Sequence, residues 1–518
     1  MHAAGPLVTG RRRNILFVTT DQQRYDSLGC NGGRIARTPV VDALARDGIN
    51  YHRAHNQNVV CMPARSTMIT GQYPRTHGVY ANGVPLPVDA PSVAGHLHEA
   101  AGYRTALVGK AHFEPGFDPE HRWRENRLAA EESYGPYRGF EHMELAMHGA
   151  KPFWWHYGTW LRANHPGEAD GYYALVVDGA LNDAPGGDTG APQTTHNPIP
   201  REHYHTDWVA DRTIAWLDAL DADEPWFVWM SFPDPHHPWD PPVSEVSRVD
   251  WRDLDLPDGH PGSVERCREI LAGKPRHWLG YFDGTFQNLE GGPTAFVPAT
   301  MTHDQVREVN ALTHVENELI DEAVGRVLGR IGERGWLDDT DVFFTTDHGE
   351  LQGDFGLLFK GAYHCDALMR LPLVWRPAPS AGVAHAEVHE PVGQLDLAPT
   401  FCDIAGVDTP EWMQGEPLPV APGSRRERVI TEWDSQFDHV DMHLRSIYRD
   451  GFVCTVYERG GMYDGTEGEL YDLTADPLQW ENRWDDPACA ALRGDLVADL
   501  YDHLPEPREP KLKVEAPT

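Results

Sequence analysis

NILFVTTDQ, Asn14 to Gln22, is a short apolar run with branched side chains that ends on a carboxylate and an amide. NILFVTT has strand length, and it is apolar on both alternating sets of positions, so it reads as a strand buried on both faces. The same signature returns downstream in YRTALVG (Tyr103 to Gly109), WFVWMSF (Trp226 to Phe232) and DVFFTT (Asp341 to Thr346). Between these runs lie helical patterns. Thr38 and Pro39 open a helix through VVDALARDG, with Thr as N-cap, Pro at the first position and Gly48 at the end. SVAGHLHEAAG and HTDWVADRTIAWLDALDA are two more, and Val306, Val309, Leu312, Leu319, Ala323 and Val327 mark one face of a long one. Helices alternating with buried strands predict an α/β fold, a large, mainly parallel sheet sandwiched by helices.

In such sheets the ligand sits beyond the carboxyl ends of the strands. Asp21 and Gln22 follow the first run, Lys110 and His112 the second, and His236 and His237 the third. Asp347 and His348 follow the fourth, with Lys360 after a Gly-rich loop. One His or Asp at a strand end is commonly a turn former or a satisfied hydrogen-bonding group. Four ends delivering such groups to one rim point to a site. Asp21, Gln22, Asp347 and His348 form an oxygen-rich ligand set with one nitrogen, suited to Ca²⁺ or Mg²⁺, with Mn²⁺ admitted by the imidazole. Arg65, Lys110 and Lys360 bring cations to the same rim, which predicts a bound anion.

The formal net charge of −35 argues against a nucleic-acid partner and against docking on an anionic membrane. The seven cysteines show no CxxC pair, so neither a zinc ribbon nor a disulfide framework is indicated. No signal peptide or transmembrane run is read, which makes the cytoplasm the expected compartment. Residues 113–202 and 240–300 break the helix–strand rhythm and read as lids or substrate walls inserted in a catalytic domain over 1–423. PFWWHYGTW (Pro152 to Trp160) is core packing or an aromatic wall. After a Pro/Gly-rich linker near Leu418 to Ser424, RVITEW, HLRSIYRDG, FVCTVYERG and GELYDL predict a smaller C-terminal antiparallel α+β domain with a terminal helix, over 424–518.

CMPARSTMITG (Cys61 to Gly71) carries the CxPxR pattern. With GKAH (Gly109 to His112), PHHP (Pro235 to Pro238), TTDHGE (Thr345 to Glu350) and GELYDLTADPLQWEN (Gly468 to Asn482), it resembles the type I sulfatases of the alkaline phosphatase superfamily. The resemblance implies an alkaline phosphatase-like fold and one metal ion, Ca²⁺ first. It also implies that a formylglycine-generating maturation enzyme oxidises Cys61 to formylglycine (3-oxoalanine). One hydroxyl of the aldehyde hydrate then attacks sulfur and displaces the alcohol. The second, once deprotonated, breaks the C–O bond and restores the aldehyde.

By position, Asp21, Gln22, Asp347 and His348 would hold the metal. Arg65 and Lys110 would fix the hydrate, and His112 would be the general base. His236 and Lys360 would bind the anion and serve the leaving oxygen, and Asn82 is a weaker candidate for an anion contact. Gln22 and His348 depart from the Asp and Asn of many sulfatases and resemble phosphonate monoester hydrolases and choline-sulfatase-like members. Hydrolysis of a small anionic sulfate ester is therefore the leading function, with phosphonate monoesters or phosphodiesters as the alternative. A non-catalytic anion-binding protein is the remote one. Members with such C-terminal extensions often assemble, which implies a homodimer or tetramer.

Overall fold

The computed structural model describes residues 12–116, 118, 120–147, 155–173, 185–288, 290, 296–435 and 440–516. The opening run is strand β1 (Asn14–Thr20), buried along its whole length. Ile15 and Phe17 enter one hydrophobic core, while Leu16 and Val18 enter another on the opposite face. This alternation is what two covered faces demand of a pleated strand. The principal sheet continues with β2 (Ile49–Tyr51), β3 (Arg104–Gly109), β4 (His142–Leu145), β5 (Trp226–Ser231), β6 (Thr340–Thr346), β7 (Leu373–Arg376) and β8 (Ala386–Val388). Their spatial order is β8-β2-β7-β6-β1-β5-β3-β4. The block from β6 to β4 is parallel, whereas β7 runs antiparallel to both its neighbours. The register pairs Thr20 with Thr346, Thr19 with Ser231 and Gly109 with Ser231. Four strands thus end at one level, and the residues that follow them share one edge.

Helices α1 (Pro39–Asp47), α2 (Cys61–Thr70), α3 (Val93–Ala101), α4 (His205–Asp218), α5 (His303–Glu333) and α6 (Leu397–Ala405) cover the sheet. Met68 and Ile69 of α2, Leu97 of α3 and Phe401 of α6 pack on one face. Leu44 of α1, Leu217 of α4 and Leu319 of α5 pack on the other. Thr38 occupies the N-cap position of α1, but its side chain does not cap the helix. The Asp321 carboxylate of α5 instead accepts from the N–H groups of Val40 and Val41, at 3.0 and 2.8 Å. Gly48 follows α1 as its C-cap, and only glycine fits there, because a Cβ would lie 2.4 Å from the carbonyl oxygen of Trp375.

The two stretches expected to be loop-like hold more regular structure than their composition suggests. Residues 113–202 contain β4 and the helices Arg124–Ala130 and His156–Asn164, and residues 240–300 contain Val264–Ala272 and Arg276–Phe282. Residues 152–154 of the aromatic stretch lie outside the described residues, whereas Trp155 and Tyr157 are buried in the cores on opposite faces.

The C-terminal strands β9 (Arg428–Asp434), β10 (His443–Arg449), β11 (Phe452–Tyr457) and β12 (Gly468–Asp472) form a consecutive antiparallel sheet. Helix α7 (Ala490–His503) covers one face through Leu496 and Leu500. The other face sends Trp433, Leu444 and Tyr471 into a core shared with Val59, Val60 and Trp278. Strand β9 also backs the chain that leads into α2: Glu432 N donates to the Gln57 carbonyl at 2.9 Å and Thr431 Oγ1 to the Asn56 carbonyl at 2.6 Å. Among the described residues, no helix is long and apolar enough to cross a membrane.

Candidate active site

Cys61 is the first residue of α2, a helix buried at every position. A helix with no solvent face needs no amphipathic pattern, which is why CMPARSTMIT mixes apolar and polar residues. The Asn82 side chain accepts from the Met62 N–H at 3.0 Å and so occupies one of the helix's free donors. Cys61 Sγ lies 3.1 Å from His348 Nε2 and 3.8 Å from Asp21 Oδ1. One turn along α2, Arg65 spans the ends of three strands. Its Nε donates to Asp347 Oδ2 at 2.8 Å, one terminal nitrogen donates to Ser231 Oγ at 2.8 Å, and the other meets Asp21 Oδ2 at 3.3 Å. Lys110 pairs with the same Asp21 oxygen.

Arg65 thus takes Oδ2 of both aspartates, and both Oδ1 atoms stand 3.7 Å from His348 Nε2. Ligand atoms of Asp21, Cys61, Asp347 and His348 lie within 4.8 Å of one another, all buried. Two carboxylate oxygens and one imidazole nitrogen converging in this way fit a hard divalent cation better than zinc. Burial would raise the Asp21 pKa, but Lys110, Arg65 and His348 outweigh it and hold the carboxyl well below its ordinary range. Burial would lower the His348 pKa, yet the Asp347 carboxylate and Cys61 draw it above its ordinary value. Gln394 Nε2 fixes the turn after β6 by donating to the carbonyls of Thr346 and Asp347 at 2.9 and 2.8 Å.

Gln22, with φ at +65°, donates its backbone N–H to Asp347 Oδ1 at 3.1 Å. Its side-chain oxygen accepts from Lys360 Nζ at 2.8 Å and its amide nitrogen donates to Glu350 Oε2 at 2.6 Å. Gln22 therefore links Asp347, through its backbone, to Lys360 and Glu350, through its side-chain amide. Lys360 Nζ also meets His236 Nε2 at 2.7 Å. Burial would lower the Lys360 pKa, but Cys61 and the carboxylates of Asp21, Glu350 and Asp347 hold it above its ordinary value. His237 turns away, its Nδ1 3.0 Å from Gln22 Nε2 and its ring edge-on to Phe359. Burial, together with Lys360, keeps His237 well below the ordinary imidazole range, and so neutral. His112 is buried just beyond Lys110, with φ at +58°.

Three residues here escaped the sequence reading. Ser231 is the last residue of β5, where a small polar residue looks unremarkable. Glu350 stands two residues past His348, buried until its pKa reaches about 7, and it also accepts from the Phe359 N–H. Glu290 accepts from Asn82 Nδ2 at 3.2 Å and comes from a stretch with no periodic signal.

The sulfatase family model matches residues 13–407, and that of the N-sulphoglucosamine sulphohydrolase C-terminal region matches 353–505. The uncharacterised sulfatase YidJ of Escherichia coli K12 is 26% identical over 509 residues, covering 96% of this chain and 88% of the relative. The multifunctional alkaline phosphatase superfamily protein PehA of Trinickia caryophylli is 27% identical, with 94% of each chain covered. Among solved structures, the phosphonate monoester hydrolase SpPMH of Silicibacter pomeroyi superposes with a TM-score of 0.76 over 96% of both chains at 24% identity, a likeness of fold.

Proposed function

The chain belongs to the sulfatase family of the alkaline phosphatase superfamily, and on that premise we propose that it hydrolyses sulfate monoesters through a formylglycine hydrate made from Cys61. The observation that carries this reading is the setting of Cys61. It is a buried thiol at a helix start, 3.1 Å from the His348 imidazole, among two aspartates bridged by Arg65. A separate maturation enzyme supplies the aldehyde. Asp21, Gln22, Asp347 and His348 would hold a divalent cation, Ca²⁺ by the hardness of the donors, which when bound adds positive charge beside the nucleophile and the ester oxygens.

The chain's own groups do the rest. Arg65 keeps both aspartates oriented and, with Lys110, fixes the hydrate. His112 takes the proton from the second hydroxyl. The pair of His236 Nε2 and Lys360 Nζ binds the anion and delivers a proton to the departing oxygen. Gln22 in place of a second carboxylate leaves the shell less negative, which favours a more highly charged phosphorus centre and keeps phosphonate monoester or phosphodiester hydrolysis as the second reading. The small anionic ester and the maturation enzyme are the partners, within a homodimer or tetramer.

The mass of the tryptic peptide AHNQNVVCMPAR (Ala54 to Arg65) tests the nucleophile. A formylglycine mass at position 61 is expected, and Cys61→Ala should abolish turnover. An intact thiol in protein made with the maturation system, or unchanged turnover by C61A, refutes the mechanism. Comparing kcat/KM on an aryl sulfate and an aryl phosphonate separates the two esters, and a strong phosphonate preference would replace the first reading with the second.

A further inference from the structure

We infer that His165, Glu168 and His203 form a second metal site, which takes Zn²⁺ or a neighbouring divalent transition metal and does not depend on the sulfatase reading. One ligand atom from each of the three side chains lies within 4.8 Å of the other two. The ligands come from two separate stretches of chain. His165 follows the helix His156–Asn164, and Glu168 lies in the first turn of the next helix, Pro166–Tyr173. Both belong to the insertion over 113–202. His203 closes the 3-10 turn Arg201–His203, which leads directly into α4.

The backbone holds each ligand in place. The His165 carbonyl accepts from the Glu168 and Ala169 N–H groups at 3.1 and 3.0 Å, which fixes the spacing of the first two ligands. The His203 carbonyl accepts from the hydroxyl of Tyr157, a buried residue, at 2.8 Å. The two imidazole rings stack, with centroids 3.6 Å apart and planes 28° from parallel, and the Trp160 ring packs against both. His203 Nδ1 already meets Glu168 Oε2 at 2.7 Å. The side chains of His203 and Glu168 are 21% and 31% exposed, so an ion can enter from solvent and keep a water.

The contact between His203 and Glu168 shares a single proton between two groups. A metal ion in place of that proton holds the same two atoms and engages His165 as well. Stacked imidazoles repel once both are charged, whereas a metal ion binds them in the neutral form that stacking tolerates. Zinc bonds of about 2.0–2.2 Å set tetrahedral ligand atoms about 3.3 Å apart, so the three side chains need only close slightly around the ion. Two imidazoles and one carboxylate, with a fourth position left for water, are a donor set for zinc rather than for calcium or magnesium. The molecule thereby sorts its cations. The oxygen-rich cluster of Asp21 and Asp347 suits a hard ion, and the nitrogen-rich cluster here suits a softer one. An ion at this second site clips the insertion to the turn that starts α4.

The test titrates the full-length protein with zinc alone by isothermal calorimetry, in excess calcium so that the oxygen-rich cluster is filled. His165→Gln, His203→Ala and Asp347→Asn are run beside the wild type. The wild type and D347N are expected to bind one zinc ion per chain at this site. H165Q and H203A should weaken that binding by about 100-fold or more, beyond the loss that an outer-shell partner causes. Zinc should also raise the Tm of the wild type and D347N, and leave that of H165Q and H203A where it was. Each variant is compared with itself with and without zinc, so a variant that is less stable from the outset still reports. A wild type that binds no zinc in excess calcium overturns the inference. So does zinc binding, or a zinc-dependent rise in Tm, that persists unchanged in both histidine variants, since the hydrogen-bonded triad is then a packing feature. Zinc lost in D347N but kept in H203A overturns it as well, because the ion then sits in the cluster beside Cys61.

Discussion

Lys360 touches two groups that no single role explains, Gln22 Oε1 at 2.8 Å and His236 Nε2 at 2.7 Å. An ammonium held against an imidazole can pass a proton to a departing oxygen, whereas an ammonium that only binds sulfate needs no such partner. Lys360→Met should therefore lower kcat by about 10²–10⁴ on alkyl sulfates, whose leaving oxygens need the proton, and far less on 4-nitrophenyl sulfate. The readout is the dependence of kcat/KM on leaving-group pKa, which should steepen in the variant. Equal losses across the series would reduce Lys360 to a sulfate clamp. Arg65 poses a different question, because its planar fork serves two aspartates and Ser231 at once. A lysine cannot reproduce that fork. Arg65→Lys should weaken divalent-cation affinity by about 10–100-fold, measured by equilibrium dialysis. Asp21, Lys110, Asp347 and His348 were legible because strand ends announce them, and Arg65 because the CxPxR pattern carries it. Ser231 and Glu350 were not, since their meaning lies in what Arg65 and Gln22 do to them across hundreds of residues of chain.

Helix α2 carries its chemistry on an element that hydrophobic patterning could not have found. Burial on all sides erases the apolar stripe, and only the CxPxR pattern and the αL residue Gly71, φ +65°, mark its two ends. The buried strands were the opposite case, where continuous apolar runs gave both position and layer. What escaped were the short pieces. Strands β2 and β4 span 3 and 4 residues, and the helices Arg124–Ala130 and Arg276–Phe282 span 7 each, too few turns for a period to show. The linker and the insertions were read from composition alone, which reports where regular packing weakens but not what replaces it. On α2 itself, Asn82 is the lever, since its carbonyl holds the Met62 N–H. Asn82→Ala leaves that buried donor unpaired at a cost of about 1–3 kcal/mol. The helix start should then shift, so kcat should fall while formylglycine content, read by mass spectrometry, stays at the wild-type level. A fall in formylglycine content matching the fall in kcat would move the effect from catalysis to maturation.

At the scale of the whole molecule, the C-terminal sheet supports the Cys61 helix from behind, since β9 braces the Asn56–Gln57 backbone just before α2. One buried lysine sits within its attachment. Lys274, from the 240–300 insertion, places its Nζ 4.5, 4.6 and 4.3 Å from the ring centres of Trp278, Phe355 and Tyr471, and 3.7 Å from Glu469 on β12. It also donates to the Gln479 carbonyl at 2.8 Å. Burial lowers its pKa, against the pull of Glu469. Removing one partner of a buried ion pair costs about 3–5 kcal/mol because the other charge is stranded, whereas replacing both is far milder. Lys274→Met should therefore split the calorimetric unfolding profile, with the C-terminal sheet melting in a separate, earlier transition. Activity should disappear with that first transition, because the brace behind the Cys61 helix goes with it. Adding Glu469→Gln should restore most of the loss, since the hydroxyls of Tyr457 and Tyr471 now donate to the two different oxygens of Glu469, and with the amide one hydroxyl can donate to its oxygen while the other turns to accept from its NH2. A single transition at the wild-type temperature in K274M would show that the apolar core around Trp278 and Trp433 holds the sheet without the lysine, and that the aromatic cage is packing rather than a clasp.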